Sequence, residues 1–240
     1  MKEFENKNVV ITGASRGIGR ATAKVFANAG WNLLLVARDK KALESLSKEL
    51  ENTKSKIFYA SVDFSDSKQI PSAIDELLSN NLVPSVLINN AGVAWTGDLL
   101  TMPLDSWEWI VQLNLTSVFQ VCSKVVPLMR EKGGLVINVS SHASRNAFPQ
   151  WGAYCVTKAA LASFTKCLAE EEKKFFIRAC TLTIGSVNST IWDTKTVQSS
   201  FNRDVMLQVD QVANELLHLA EQPSTQVIED LTLMPSSGAF

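Results

Sequence analysis

A tyrosine and a lysine four positions apart are the residues of this 240-residue sequence best suited to proton transfer. Tyr154 is one of two tyrosines in the chain, and Lys158 follows it within a segment of helical spacing. Positions i and i+4 lie on one face of a helix, so the phenol and the ammonium point into the same space. A phenol of pKa ~10 is a poor acid at neutral pH, and a nearby cation lowers that pKa. The pair predicts a tyrosine acid/base, although an isolated Tyr-x-x-x-Lys pattern also arises by accident.

A serine thirteen residues before this tyrosine supplies a hydrogen-bond donor. Ser141 comes just after the apolar run 135–139. Its hydroxyl can donate to the carbonyl oxygen of a substrate and stabilise the charge that develops there as a hydride arrives or leaves. His142 is the next residue, and it either touches substrate or is a loop residue with a local hydrogen bond. Ser141, Tyr154 and Lys158 together predict the interconversion of a carbonyl and an alcohol.

A glycine-rich loop follows the first apolar run, residues 9–11. Residues 12–19 read Thr-Gly-Ala-Ser-Arg-Gly-Ile-Gly, with glycines spaced by four and then two. Gly13 permits a turn out of a strand, Gly17 lets backbone come close to a pyrophosphate, and Gly19 lets the following helix pack tightly with its N-terminus facing the phosphates. A plain glycine-rich turn is the alternative. The dinucleotide contacts predicted in this loop are Gly13, Ser15, Arg16, Gly17, Ile18 and Gly19.

Arginines near the second strand favour a phosphorylated ribose. An NAD site usually has an acid at the end of this strand, whereas an NADP site prefers a cation for the 2′-phosphate. Ala37 takes the place expected for the acid, Arg38 follows it, and Arg16 can supply a second guanidinium. We predict NADP(H) in preference to NAD(H). The alternative is two solvent-facing arginines, with Asp39 as a helix N-cap.

Further cofactor contacts are expected after the third and fourth strands. Asp63 is placed to meet the adenine amino group, although an N-cap near Ser65 and Ser67 would look the same. The fourth strand ends in small residues, where a cofactor ribose would lie against the backbone. These predicted contacts are Asn90, Ala91 and Gly92.

Short apolar runs alternate with amphipathic, helix-length segments along the chain. Continuous apolar character is what a strand buried on both faces requires. The predicted strands are 9–11, 33–37, 57–62, 86–88, 135–139, 177–183 and 227–233, and the predicted helices are 18–29, 40–52, 67–78, 105–130, 154–173 and 209–220. This alternation predicts an α/β fold with a doubly wound parallel sheet of about seven strands and helices on both faces. No linker interrupts residues 1–240, so we predict one domain.

Composition argues against several other classes of protein. The chain has 23 basic and 24 acidic residues, and this balance offers no general hold on nucleic acid. The four cysteines include no Cys-x-x-Cys pair and the two histidines are far apart, so no metal site is expected. No apolar run approaches the ~18 residues of a membrane span, and the N-terminus lacks the apolar stretch of a signal peptide. We expect free cysteines, a cytoplasmic location, and neither nucleic acid nor a membrane as partner.

Taken together, these motifs resemble those of the short-chain dehydrogenase/reductase family in its compact single-domain form. The similarity covers roughly residues 8–189, with a weaker tail to 233. It implies a Rossmann-type sheet, a nicotinamide cofactor and an oxidoreductase activity. The matched positions are residues 12–19 and 89–92, Asn114, Ser141, Tyr154 and Lys158.

The resemblance also assigns roles. It implies that Tyr154 is the acid/base, that Ser141 polarises the carbonyl, and that Lys158 lowers the tyrosine pKa and contacts the nicotinamide ribose together with the tyrosine. Asn114, otherwise a polar filler inside a helix, is implied to support a water in a proton relay. Homodimers or homotetramers are implied as well. The nicotinamide is expected near Gly185, Val187 and Ser189.

The sequence departs from the family pattern after the sixth strand. The family usually reads Pro-Gly there, and this chain reads Ile184-Gly185, which restores a backbone N–H. The substrate lid that follows, around residues 190–208, is short. Aromatic residues crowd the ends of the motifs and predict an apolar substrate pocket, although core packing explains any one of them equally well. With His142, the candidate pocket residues are Trp95, Phe148, Trp151 and Trp192.

We expect an NADPH-dependent reductase of an aldehyde or ketone, acting on a small molecule of apolar character. One alternative is a 3-oxoacyl carrier-protein reductase, because Arg130 lies where such enzymes keep a basic docking residue. Their second basic position corresponds to Phe175, with Lys174 beside it. The other alternative is a nicotinamide-binding sensor without turnover, which the complete set of catalytic positions argues against.

Overall fold

The computed structural model describes residues 7–238, and a parallel sheet forms its centre. The described strands are β1 (Asn8–Thr12), β2 (Asn32–Ala37), β3 (Ile57–Ser61), β4 (Val86–Asn89), β5 (Gly134–Ser141), β6 (Ile177–Ile184), β7 (Val187–Asn188), β8 (Leu207–Gln208) and β9 (Asp230–Leu233). Seven of them form the main sheet in the order β3-β2-β1-β4-β5-β6-β9, and all its neighbours are parallel. This confirms the predicted doubly wound α/β fold.

Helices cover both faces of the sheet. They are α1 (Gly17–Asn28), α2 (Lys40–Glu49), α3 (Gln69–Leu78), α4 (Leu104–Val111), α5 (Ser117–Met129), α6 (Gly152–Glu172) and α7 (Val209–Ala220). Val9 and Ile11 of β1 face the core layer that includes α1, α2 and α7, and Val10 between them faces the layer that includes α3, α5 and α6. Burial on both faces explains why the inner strands are apolar throughout.

The predicted helix 105–130 is wrong as a single α-helix. A π-helical segment, Gln112–Thr116, joins α4 to α5 and contains Asn114. The Asn114 side chain is buried and makes hydrogen bonds with the backbone of Val93, so one wide turn holds a polar side chain facing inward. Wide π turns of this kind are frequent at functional sites.

The last strand is shorter than the predicted run 227–233. Only Asp230–Leu233 pair with β6, at the edge of the sheet. Ile228 packs against the core without joining the ladder, and Val227 is exposed. The apolar character of Ile228 therefore reflects packing against the core rather than strand pairing.

Within residues 7–238, no helix is both long enough and apolar enough to cross a membrane. Over the same residues, no group of His, Cys, Asp and Glu side chains is arranged to hold a metal ion. All four cysteines are free thiols.

Candidate active site

Two cavities adjoin at the carboxyl ends of the strands, where the chain order reverses on either side of β1. The larger, here called the cleft, has a volume of about 550 Å³ and runs from the loop after β1 past Arg38 and Asp63 to residues 190–196. The smaller, here called the inner cavity, has a volume of about 270 Å³ and lies against Ser141 and Tyr154. Both cavities are lined by Ile18, Ser189 and Ile191, which mark where they meet.

The glycine loop forms the floor of the cleft and leaves no room for side chains at two positions. Gly13 has φ +68°, and a Cβ there would stand 2.9 Å from the Cα of Ala91. A Cβ on Gly19 would overlap the carbonyl oxygen of Gly13. Gly17 also has positive φ and faces Ser189 and Thr190 across the opening. Backbone, rather than side chains, therefore faces a ligand in this part of the cleft.

The N-terminus of α1 opens into the same space. No side chain of the described residues caps this helix, and its first turn has no acidic residue. The N–H groups of that turn are therefore available to an anion, and the helix dipole favours negative charge there. A dinucleotide pyrophosphate fits this arrangement of bare backbone and uncapped helix. Ser15, Arg16 and Ile18 line the cleft with Gly13 and Gly17, whereas Gly19 packs beneath them and is not among the described lining residues.

Thr12 ties the two loops of the cleft together, a role that sequence reasoning missed. Its buried hydroxyl oxygen accepts hydrogen bonds from the backbone N–H groups of Asn90 and Ala91, each at 3.0 Å. The Asn90 side chain donates back to the Thr12 carbonyl at 3.0 Å. Asn90, Ala91 and Gly92 thereby lie along the cleft. A threonine at the end of a strand, just before a glycine loop, was the available signal.

The outer part of the cleft is charged. Arg16 is exposed and, among residues 7–238, has no acidic partner, while Arg38 is 3.4 Å from Asp63 across the cleft. Lys195, which the sequence did not single out, adds a third cation from the lid. Asp39 caps α2 by accepting from the Ala42 N–H at 3.0 Å, so its carboxylate is committed to the helix.

Asp63 is held by its own turn. Its carboxylate accepts hydrogen bonds from both the backbone N–H and the hydroxyl of Ser65. Burial raises the pKa of Asp63, but these bonds and the nearby Arg38 outweigh it, and the net effect is a lowered pKa. The structure places Asp63 in the cleft. The helix N-cap left open as the alternative is not formed by Asp63, because α3 begins at Gln69 and its N-cap position is Lys68.

Tyr154, Ser141 and Lys158 converge at the base of the inner cavity. Tyr154 and Ser141 line it directly. The Lys158 ammonium is buried behind them, 5.7 Å from the Tyr154 ring centroid, and donates a hydrogen bond to the Val139 carbonyl at 2.9 Å. The i, i+4 spacing therefore places both side chains on the inward face of α6.

The pKa of Tyr154 departs from the expectation that Lys158 draws it towards neutrality. Burial raises the pKa of Tyr154 to about 12, against the lowering effect of a hydrogen bond with Ser141. Burial also lowers the pKa of Lys158 to about 8. The pKa of Tyr154 stays high because the Lys158 ammonium is itself desolvated and is bound to Val139 rather than to the phenol.

Asn114 connects the two halves of the site. Its amide group donates to the Val93 carbonyl at 2.9 Å and to the Thr157 hydroxyl at 3.1 Å, and its oxygen accepts from the Val93 N–H at 2.8 Å. Thr157 is a positioning residue that the sequence did not single out. A Cβ on Gly92 would stand 3.5 Å from the Asn114 oxygen and 3.6 Å from the Lys158 nitrogen. Asn114 thus fixes the strand end against α6.

The inner cavity has an aromatic wall. Trp151 packs edge-to-face against both Tyr154 and Trp192, with centroid distances of 5.7 Å, and Trp192 packs in the same way against Phe201. Phe148 and His142 also line the cavity. Phe201 was missed because it stands alone in a polar stretch of the lid.

Trp95, a predicted pocket residue, is not among the described residues that line the inner cavity. Its ring lies against Gly97, whose backbone leaves that space open because a Cβ there would overlap the indole. Neither cavity includes Trp95 among its described lining residues. A place shortly after β4 was too weak a signal for the direction of the side chain.

The segment after β6 reaches the cavity as expected, but Gly185 has a different neighbour. Val187 and Ser189 line the inner cavity, and Ile184 and Gly185 contribute at its edge. A Cβ on Gly185 would come within 2.5 Å of Pro235, so the following tail needs this glycine. The Gly185 N–H bonds to the Leu233 carbonyl, which joins this turn to β9.

Comparison with known proteins defines the class. A family model described as short chain dehydrogenase matches residues 7–200. The 3-oxoacyl-acyl-carrier-protein reductase of Chlamydia muridarum is 31% identical over 186 residues, covering 77% of this chain and 75% of that protein. The NADP-dependent 3-hydroxy acid dehydrogenase of Schizosaccharomyces pombe is 30% identical over 98% of this chain and 95% of its own.

Two solved structures of oxidoreductases have a similar fold. The alcohol dehydrogenase from the archaeon Thermococcus sibiricus, complexed with 5-hydroxy-NADP, has a TM-score of 0.89 and 27% identity, with 97% of each chain covered. The L-sorbose reductase of Gluconobacter frateurii, complexed with NADPH and L-sorbose, has a TM-score of 0.87 and 25% identity over 98% of this chain and 96% of that one. This protein belongs to the short-chain dehydrogenase family of oxidoreductases.

Proposed function

We propose that this protein is an NADPH-dependent reductase of aldehydes or ketones that also oxidises the corresponding alcohols. The observation that carries the proposal is the placement of Tyr154 and Ser141 on the wall of one cavity, next to a cleft with bare backbone and an uncapped helix N-terminus. A carbonyl in the inner cavity can thereby meet two hydroxyl groups while a dinucleotide occupies the cleft.

The cofactor supplies the hydride when it is bound, and the side chains handle the proton. Ser141 donates a hydrogen bond to the carbonyl oxygen, where negative charge develops. Tyr154 then gives its proton to that oxygen. Reduction needs the protonated phenol, which is the form that a phenol of ordinary pKa already has at neutral pH. Burial raises the pKa of Tyr154 further, so proton transfer depends on the negative charge that develops on the carbonyl oxygen as the hydride arrives. The hydrogen bond with Ser141 offsets part of the cost of the charge left on the phenol, since it lowers the pKa of Tyr154 against the effect of burial. Lys158 is proposed to contact the nicotinamide ribose, and Asn114 holds the strand end in place.

The charge of the cleft supports NADPH over NADH. The phosphate contacts are proposed for the loop that contains Ser15, Gly17 and the start of α1. Arg38 and Arg16 are proposed to bind the 2′-phosphate, because Asp39 is engaged in its helix cap and does not compete for ribose hydroxyls. Two relatives named for NADP or solved with an NADP derivative agree with this choice.

The proposal is tested by following the absorbance of NADPH during incubation with a panel of aldehydes, ketones, β-keto esters and quinones, in parallel with NADH. We expect turnover of at least one carbonyl compound with NADPH and a much weaker reaction with NADH. Tight binding of NADPH with no turnover of any compound would favour the sensor alternative instead.

Reduction of a 3-oxoacyl carrier protein is the second candidate, and similarity to the Chlamydia reductase favours it. The surroundings of Arg130 argue against it. Its guanidinium makes two hydrogen bonds to Glu172, at 2.8 and 2.6 Å, and lies 4.6 Å from the centroid of Phe175. A cation engaged in this way is poorly placed to dock a phosphopantetheine carrier. Arg130→Ala should therefore leave reduction of a free β-keto thioester unchanged and should have no specific effect on the carrier-bound form.

The remaining expectations concern assembly and location. We propose that the chain acts as one domain and forms a homodimer or homotetramer through α5 and α6. Phe119, Leu128 and Val156 on these helices are exposed apolar residues, which suits a subunit contact. Light scattering during size-exclusion chromatography measures the mass directly, and a monomer would contradict this proposal. A cytoplasmic location stays a prediction.

A further inference from the structure

Charged side chains are divided unevenly between the two cavities. The cleft is lined by Arg16, Arg38 and Lys195, as well as by acidic residues. None of the described residues that line the inner cavity is a lysine, arginine, aspartate or glutamate. A charged group brought into the inner cavity would lose its water and meet no lysine, arginine, aspartate or glutamate among these residues, which costs free energy. His142 also lines the cavity, and its ring lies 3.0 Å from the amide nitrogen of Asn146. The inner cavity therefore selects against charged substrates.

Two cations close in sequence to this cavity, Lys158 and Arg203, are engaged elsewhere. The Lys158 ammonium donates to the Val139 carbonyl behind Tyr154. Arg203, two residues from Phe201 in the lid, bonds to Asp193 at 2.6 Å, to Asn188 at 2.8 Å and to the Ser189 carbonyl. These bonds hold the lid and engage the Arg203 guanidinium, so it is poorly placed to receive a carboxylate.

Hydrogen-bonding side chains form a minority of the wall: among the described lining residues they are Ser141, His142, Trp151, Tyr154, Ser186, Ser189 and Trp192. Ser141 and Tyr154 stand where the carbonyl is reduced. At the other end, the indole N–H of Trp192 is used by the Val187 carbonyl at 2.7 Å, so this side chain offers only its ring to a ligand. Phe201 packs edge-to-face on that ring. Such ring surfaces favour a flat, aromatic partner.

We infer that the substrate is an uncharged carbonyl compound with an aromatic group beside the carbonyl, and that Trp192 and Phe201 determine this specificity. The inference rests on the proposed function for the reacting end of the cavity. A volume of about 270 Å³ corresponds to roughly nine water molecules, which suits one aromatic ring with a short substituent. Free hydroxy acids, amino acids and sugars fit this wall poorly because their charges or hydroxyl groups would lie against rings.

The test uses pairs of compounds that differ in one property. Methyl benzoylformate and benzoylformate share a ring and a ketone but differ in charge, and ethyl pyruvate is an uncharged α-keto ester without the ring. With NADPH, kcat/KM for methyl benzoylformate should exceed that for each of the other two by about tenfold or more. A preference for benzoylformate, or for ethyl pyruvate, would overturn the inference.

Variants assign the preference to the lid. Trp192→Ala should lower the ratio of kcat/KM for methyl benzoylformate to that for ethyl pyruvate by about tenfold, whereas Trp192→Phe should keep most of it. Phe201→Arg should raise kcat/KM for benzoylformate by supplying a cation. Leu100→Ala, at a side chain that is 94% exposed, is the matched control and should leave all three values unchanged. Equal ratios in wild type and Trp192→Ala would contradict the assignment.

A binding measurement separates this inference from the proposed function. Methyl benzoate and benzoate have no reducible ketone, so calorimetric titration of the NADPH complex reports binding alone. Tighter binding of the ester by about tenfold or more is expected, because the carboxylate would be desolvated without a partner. Tight ester binding without reduction of any ketone would refute the reductase and keep the specificity. Ketone reduction together with equal or tighter binding of benzoate would keep the reductase and refute the specificity for uncharged compounds.

Discussion

Replacing Thr12 by valine should loosen the cofactor cleft and destabilise the whole fold. Thr12 is 2% exposed. Its hydroxyl oxygen accepts hydrogen bonds from the backbone N–H groups of Asn90 and Ala91, each at 3.0 Å. Valine has nearly the same shape but accepts neither, and a buried donor left unpaired costs ~1–3 kcal/mol. Because the two donors are only partly buried, we expect a loss of about 2 kcal/mol, which lowers Tm by roughly 4–8 °C for a chain of this size.

Thermal and urea unfolding of Thr12→Val and Thr12→Ser measure this loss, and titration with NADPH measures the effect on the cleft. Serine keeps the hydroxyl and removes one methyl group, so it should retain most of the stability and of the NADPH affinity. Thr12→Val should lose both, because the loop of Asn90 and Ala91 is no longer tied to the end of β1. Equal behaviour of the two variants would refute the argument, since the methyl group rather than the hydrogen bonds would then matter.

Three other predictions concern single side chains. Arg38→Ala should weaken NADPH binding about tenfold and leave NADH binding unchanged, since a charge-assisted phosphate contact is lost; an equal loss for both cofactors would contradict it. Burial holds the pKa of Lys158 at about 8, below its ordinary 10.5, so the unfolded chain binds the additional proton between these values. Urea unfolding from pH 8 to 10 should therefore show wild type gaining stability relative to Lys158→Met, by roughly 2 kcal/mol, and parallel curves would refute this. Arg203→Leu should raise KM for the carbonyl substrate several-fold by releasing the lid, whereas unchanged kinetics would show that its bonds to Asp193 and Asn188 do not order it.

Much of the fold follows from local sequence pattern. Strands buried on both faces require continuous apolar runs, and the runs at 9–11 and 33–37 lie within β1 and β2 for that reason. Gly13 and Gly19 were identifiable from the spacing of glycines after the first apolar run. The structure explains this spacing, because the backbone at both positions leaves no space for a Cβ. The π turn around Asn114 was not predictable, because it depends on a contact with Val93, which is distant along the chain.

The site was predicted less completely than the fold. Residues fixed by spacing on one helix, such as Tyr154 and Lys158, came together as expected. Their pKa values did not follow, because burial depends on every element packed around the site. The directions in which the side chains of Trp95 and Phe201 point could not be predicted either. Each depends on how an irregular segment folds back, and apolar periodicity carries no signal there.

The central claim is that Tyr154 delivers the proton to a carbonyl reduced with NADPH, and Tyr154→Phe tests it most directly. Phenylalanine keeps the ring against Trp151 and removes only the hydroxyl. On a carbonyl compound that wild type reduces well, kcat should fall by about 100-fold or more, while titration shows that NADPH still binds. Full turnover by Tyr154→Phe would contradict the account.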